Sequence, residues 1–461
     1  MACSNSQTHT RRSFLTGAAA IAASQPGKRP PNIIYLHSHD TGRYIQPYGM
    51  DVPTPNLHRL AQGGVLFRHA YNAGPTCSPS RAALLTGQCP HSAGMTGLAH
   101  RGFSLFDYNQ HIVHTLRRVG YESVLAGVQH VAKDPQQIGY DRILPVKRGN
   151  RAADVAPAAV EYLRSRPKQP FWMSVGFFET HREFPEPGPA EDPRYCRPAP
   201  TVPDTPETRR DMAAYKASAR IMDEAAGRVL EALEQSGLAE NTLVIYTTDH
   251  GIAFPGMKCN LTDHGIGVAL IIRGPGGFTG GKVCDALVSH IDLFPTICEI
   301  TGASLPAWLQ GRSLMPLIRG EKKEINDEIF SEVNYHASYE PMRAVRTRRW
   351  KYIRRFGDRT RPVLPNCDDS PSKDVWIEHG WRDRPVEREQ LFDLVFDPAE
   401  TRNLAGNPNY TSALNEMRGR LERWMQRTKD PLLSGPVKAP PGAVVNDPDG
   451  VSPREAVRPA A

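Results

Sequence analysis

Asn32-Ile33-Ile34-Tyr35-Leu36, running directly into His37-Ser38-His39-Asp40, is the stretch that decides the fold. A short apolar run without polar alternation reads as a strand buried on both faces, and the abrupt polar ending marks its carboxyl end. The pattern recurs at Thr242-Leu243-Val244-Ile245-Tyr246, which ends in Thr247-Thr248-Asp249-His250-Gly251. Between them, residues 171–178 and 123–126 read as further strands, while 54–62, 110–119 and 210–234 carry helical spacing. Strands alternating with helices predict an α/β fold with a large, mainly parallel central sheet flanked by helices. In such sheets ligands gather at the carboxyl ends of strands, where both polar endings lie.

From about residue 342 the texture changes. Strand-like stretches at 343–353 and 390–394 precede an amphipathic helix at 413–428, which predicts a small C-terminal α+β subdomain. The expected division is therefore a targeting segment at 1–29, a catalytic unit at 30–341, the α+β subdomain at 342–429 and a loosely ordered tail at 430–461, where Pro, Gly and polar residues dominate. The 461 residues would fit about three domain-sized units or this one large domain with a companion. Hydrophobic residues at 39% and charged residues at 23% exclude wholesale disorder, collagen and coiled coil.

A net charge of +7 is modest for this length, so no nucleic-acid partner is expected. The arginine-rich stretch 343–361, with Trp350, Tyr352 and Phe356, reads as a strand pair with one solvated face. The eight cysteines, at 3, 77, 89, 196, 259, 284, 298 and 367, have neither metal-finger nor CxxC spacing and are too sparse for a disulfide scaffold. At the N-terminus, Thr10-Arg11-Arg12-Ser13-Phe14-Leu15-Thr16-Gly17 precedes a short alanine-rich run containing Ala20-Ile21-Ala22. This reads as a twin-arginine signal with an A-x-A cleavage site, too short to span a bilayer. The expectation is a periplasmic or secreted protein, delivered by the twin-arginine export machinery and without a membrane span.

Cys77-Ser78-Pro79-Ser80-Arg81-Ala82-Ala83-Leu84-Leu85-Thr86-Gly87 resembles the C-x-P-x-R-x-x-x-x-T-G signature of the sulfatase family, in the alkaline phosphatase superfamily. Gly120-Tyr121, the stretch from Ser289 to Thr296, Leu391-Phe392-Asp393-Leu394 and the stretch from Asp397 to Leu404 are similar to later family segments, so the resemblance covers roughly 31–428. Leu98-Ala99-His100, Phe254-Pro255, Asn260-Leu261 and the stretch from Tyr339 to Arg343 look most like the sulfamidases, the heparan N-sulfatases.

The resemblance implies an alkaline phosphatase-like fold. It also implies that Cys77 is oxidised to formylglycine by a formylglycine-generating maturation enzyme and that one divalent metal ion is bound. Its implied ligands are Asp40, Asp249, His250 and the modified Cys77. The family usually shows two consecutive aspartates at the first turn, where this chain has His39-Asp40. With His39 included, the ligand set moves from calcium, the family's expected ion, towards manganese or zinc.

Arg81 is suited to hold an anionic neighbour with its guanidinium fork. His130 and His181 match family histidines that contact sulfate or protonate the leaving group. Lys258 matches a basic residue that pairs with a sulfate oxygen. Val128 stands where the family has lysine, with Lys133 the nearest replacement in the chain. His100, Arg101 and His336 are candidates for the substrate mouth. The implied activity is hydrolysis of sulfate esters or N-sulfates of sulfated saccharides such as glycosaminoglycans. A phosphoester or phosphonate hydrolase of the same superfamily, and a catalytically inactive glycan-binding relative, stay open on the residues alone.

Overall fold

The computed structural model describes residues 29–147 and 149–460. Cys3 and the twin-arginine stretch lie outside the described residues. Eight strands form the main sheet: β1 (Asn32–Ser38), β2 (Val65–Tyr71), β3 (Glu122–Gly127), β4 (Arg142–Ile143), β5 (Phe171–Gly176), β6 (Thr242–Thr248), β7 (Leu270–Arg273) and β8 (Lys282–Ser289). Their order is β4-β3-β5-β1-β6-β7-β2-β8. Only β7 runs antiparallel to its neighbours, as the α/β reading requires of a mainly parallel sheet.

The unalternating sequence of β1 has a direct packing cause. Ile33 and Tyr35 enter the apolar cluster on one face of the sheet, and Ile34 and Leu36 enter the cluster on the other. A strand covered on both sides leaves no position for an unpartnered polar residue, and Asn32 and His37 at its two ends are buried but hydrogen-bonded. The second face is covered chiefly by the helix Ala152–Arg164 and by the 30-residue helix Pro206–Gln235, which contributes Met222, Ala226, Val229 and Leu233. That long helix begins earlier than its apolar spacing indicates, because Thr205 accepts from Thr208 N–H and Pro206 occupies the first turn. The expected helix at 110–119 shortens to Ile112–Arg117, capped by His111 Nδ1, which accepts from Val113 N–H.

The smaller unit is an antiparallel sheet in the order β12-β11-β10-β9, formed by β9 (Ile329–Tyr335), β10 (Tyr339–Arg346), β11 (Trp350–Arg355) and β12 (Glu389–Asp393). It begins with β9, ahead of the boundary expected at 342, which would cut through β10. The helix Thr411–Thr428 lays Met417, Leu421, Trp424 and Met425 against Val345, Tyr352 and Leu391.

The tail expected from residue 430 is not loose. Asp430 accepts from Arg343 Nε and Nη2 at 2.5 and 2.9 Å, Val437, Ala443 and Val445 join the main core, and β13 (Val444–Asn446) pairs with β14 (Val457–Pro459). Composition misleads here because a few apolar anchors and one buried ion pair suffice to seat an otherwise polar segment. Among the described residues no helix is long and apolar enough to cross a membrane.

Candidate active site

Four adjacent strands deliver the site. β3, β5, β1 and β6 run parallel and end in register, with Gly127 beside Gly176, Gly176 beside His37, and Ser38 beside Thr248. The residues just beyond these ends are His130, His181, His39-Asp40 and Asp249-His250, which therefore emerge at one edge of the sheet. Close approach of the loops depends on glycine: a Cβ on Gly176 would lie 2.2 Å from Val128 O and 2.4 Å from His37 Cε1. Asp40 and His130 hold positive φ values of 48° and 52°, a conformation uncommon for non-glycine residues and concentrated at functional sites.

Cys77 arrives from the other side of β6, as the first residue of the buried helix Cys77–Thr86. Its Sγ lies 3.4 Å from His250 Nε2. Burial, reinforced by Asp40 and Asp249, pushes the thiol well above its usual range. One turn later Arg81, also buried, donates to Asp249 Oδ2 at 3.0 Å and to Ser38 O at 3.0 Å, and Nη1 lies 2.5 Å from His37 Nδ1. Asp249 Oδ1 accepts from the backbone N–H groups of Asp40 at 2.9 Å and His250 at 3.0 Å. Burial opposes the charge on Asp249, but His250 and Arg81 more than offset it and hold this carboxyl ionised.

Donor atoms of His39, Asp40, Cys77 and Asp249 all lie within 4.8 Å of one another, and those of His39, Cys77 and His130 form an overlapping group. Both ring nitrogens of His39 and Asp40 Oδ1 are buried without hydrogen-bond partners, although His39 Nδ1 stands 3.1 Å from Asp249 Oδ2. Burial and the Arg81 charge lower His39 to about 4, leaving the imidazole neutral as ligation requires. His250 Nδ1 lies 3.0 Å from Gly251 O, and its Nε2 stands 3.4 Å from Asp40 Oδ1. Two carboxylates and the imidazoles of His39 and His250 brought to one point, with His39 and Asp40 Oδ1 unpartnered, fit a divalent cation.

Lys258 Nζ bridges Asp40 Oδ2 and Asp368 Oδ2, each at 2.9 Å, and lies 3.5 Å from His181 Nε2. Burial alone would lower this lysine, yet Asp368 and Asp40 hold it protonated. His181 Nδ1 sits 2.6 Å from Arg182 O and is thereby the protonated nitrogen, so its Nε2 faces the site. His130 Nε2 is 3.0 Å from His100 Nδ1, and its ring centroid is 5.8 Å from that of His39. The nine residues read as catalytic or metal-binding converge, while Lys133 is exposed and Val128 fills a buried apolar position.

The sequence reading missed Asp368. It comes from the irregular segment between β11 and the helix Pro371–Glu378, in a stretch with no motif, and only its contact with Lys258 reveals it. His37 was read as part of a strand ending, whereas it orients Arg81 from within β1.

The family model for sulfatases matches residues 31–303, and the model for the C-terminal part of N-sulphoglucosamine sulphohydrolases matches 257–373. Human N-sulphoglucosamine sulphohydrolase is 29% identical, with 88% of this chain and 92% of the human protein covered. An ulvan-active sulfatase from Formosa agariphila is 30% identical over 92% of this chain and 86% of its own length. A sulfatase structure from Bacteroides thetaiotaomicron superposes with a TM-score of 0.69 at 25% identity, covering 93% of this chain and all of that one. With Cys77 and Arg81 set on one helix against the carboxylates of two parallel strand ends, and with both family models matched, the chain belongs to the sulfatase family of sulfuric ester hydrolases and is sulfamidase-like within it.

Proposed function

We propose that this protein is an exported, metal-dependent sulfatase acting on sulfated saccharides of glycosaminoglycan type, with a preference for sulfate on a glucosamine nitrogen. The observation that carries the reading is the placement of Cys77 Sγ inside the His39, Asp40 and Asp249 group, with Arg81 and Lys258 bonded to its two carboxylates. The N-sulfate preference is supported by the match of 257–373 to the sulphohydrolase C-terminal model, a span containing both Lys258 and Asp368, and by the human relative's name.

His39, Asp40, Asp249 and His250 would hold the cation, with the oxidised Cys77 side chain beside them. The cation supplies charge neutralisation and nucleophile activation, and formylglycine supplies a hydrated aldehyde with two hydroxyls. Arg81 keeps Asp249 ionised and oriented by direct contact. Lys258 presents a fixed positive charge where a sulfate oxygen would sit. His181, with Nδ1–H tied to Arg182 O, directs Nε2 at the departing atom, and as an imidazolium it would give up its Nε2 proton there as general acid and return to the neutral ring. An amine leaving group must gain that proton as the N–S bond breaks. Export by the twin-arginine route rests on Arg11, Arg12 and the Ala20-Ile21-Ala22 site, and calcium, manganese and zinc are the candidate ions.

The test uses enzyme matured by a formylglycine-generating enzyme and loaded with each metal in turn. Peptide mass spectrometry should find formylglycine at position 77, and kcat/KM should be higher for N-sulfated glucosamine than for its 6-O-sulfated or 3-O-sulfated isomers. Normal hydrolysis with an unmodified thiol removes the mechanism. Preference for an O-sulfate removes the subgroup and leaves the sulfatase reading standing.

A further inference from the structure

A cavity of about 700 Å³ lies where the loop after Asp40, the segment leading into the long helix and the end of β10 meet. None of its lining residues belongs to the reaction centre. Its cations are Arg43, Arg197, Lys216, Arg346 and Arg348, against only Asp51 and Asp263 among lining carboxylates. Those two acids are already engaged: Asp51 with Lys216, and Asp263 with Arg346, with Lys351 and with the Tyr71 hydroxyl. Arg348 pairs with Glu324, which lies outside the lining, whereas among the described residues Arg43 and Arg197 make no ion pair. Arg43 and Arg346 also stack on Tyr71, 4.4 and 4.5 Å from its ring centroid.

With Lys216, Arg346 and Arg348 each paired to a carboxylate, Arg43 and Arg197 carry the uncompensated positive charge of the cavity, which a bound anion would offset. The effect of the lining cations is visible on His69, another lining residue, which burial together with Arg43, Arg346 and Arg348 lowers to about 4. The remaining wall is different in kind. Met50, Pro198 and Pro200 offer apolar surface of the sort that covers the C–H face of a pyranose ring. Cationic groups on one side and apolar surface on the other, in a space sized for two or three sugar rings, match an anionic saccharide.

We propose that this cavity is a second carbohydrate site, binding a sulfated or uronate-bearing stretch of saccharide away from the reaction centre. The identity of its ligand rests on the saccharide-sulfatase reading above. Its oxyanions meet Arg43, Arg197 and Arg348, and its ring faces meet the apolar wall. Longer substrates are thereby held at two points, which raises their effective concentration at the reaction centre.

The test compares the parent with a double variant, Arg197→Ala with Arg348→Ala. Both side chains are exposed, so the melting temperature should be unchanged. Calorimetric titration of Cys77→Ala protein, which does not turn over, with a heparin-derived sulfated tetrasaccharide should show a binding event that weakens about tenfold in the double variant and fades with added salt. The desulfated tetrasaccharide and inorganic sulfate should not reproduce it. In matured enzyme carrying Cys77, the double variant should lose about tenfold in kcat/KM on long sulfated chains and nothing on N-sulfated glucosamine.

Indifference of both readouts to the double variant overturns the site. So does equal loss on short and long substrates, or equal binding of inorganic sulfate. If the parent hydrolyses no sulfated saccharide while the tetrasaccharide still binds through Arg197 and Arg348, the proposed function fails and the cavity assignment stands.

Discussion

At the scale of single residues the proposed function divides the reaction centre into groups that would hold a cation and groups that would hold substrate. Asp249 belongs to the first, since both its oxygens are aimed into the cluster and held by Arg81 and two backbone N–H groups. Asp368 belongs to the second, because it reaches the centre only through Lys258. Asp249→Ala should therefore lose bound metal and activity together. Asp368→Asn should retain full metal occupancy and lower kcat/KM about tenfold, ~1.4 kcal/mol, because Lys258 loses one of the two charges that fix it. Elemental analysis beside steady-state kinetics separates the cases, and metal loss in Asp368→Asn would place that residue in the cation site instead.

At the scale of elements, polar ends of helices and strands are secured by buried neutral groups, and this makes the fold sensitive to acid. His111 is buried at the start of the helix Ile112–Arg117 and burial lowers it to about 3, as it does His290, whose Nε2 meets the Thr247 hydroxyl at 2.9 Å. An unfolded histidine titrates near 6.5, so between that value and about 3 the unfolded chain binds more protons and folding weakens as pH falls. From pH 6.5 to pH 5 each of these histidines should cost roughly 2 kcal/mol. His111→Asn keeps a capping side chain and removes one titration, so the gap between urea midpoints at pH 7 and pH 5 should narrow relative to wild type. An unchanged gap would show that His111 does not resist protonation.

At the scale of the whole molecule, the catalytic sheet, the small sheet and the C-terminal segment are bound together by one buried charge cluster. Arg343 on β10 is fully buried between Asp430 and Glu332, and Glu332 in turn holds His91 from the helix Pro90–Ala93. Removing one member leaves a buried charge without its partner, which costs more than an exposed pair is worth. Asp430→Ala should lower unfolding free energy by about 3–5 kcal/mol, whereas Asp449→Ala, removing an exposed partner of Arg359, should change it by no more than about 0.5 kcal/mol. Equal urea midpoints for the two variants would mean that the segment from Asp430 onward is not part of the cooperative unit.

The sequence by itself determined the sheet and most of the centre. The unalternating runs at β1 and β6 are legible because apolar layers cover both faces, and the polar endings are legible because those layers stop there, although the polar residues themselves stay buried against one another. Cys77, Pro79 and Arg81 sit within one helix, so their spacing along the chain is already their spacing in space. Tertiary structure decided what depends on distant segments meeting. Asp368 joins Lys258 across more than a hundred residues of chain, and Asp430 seats a polar tail that composition assigns to solvent. Local composition reports how a residue is solvated on average, but a buried ion pair is set by two positions that no local window contains together.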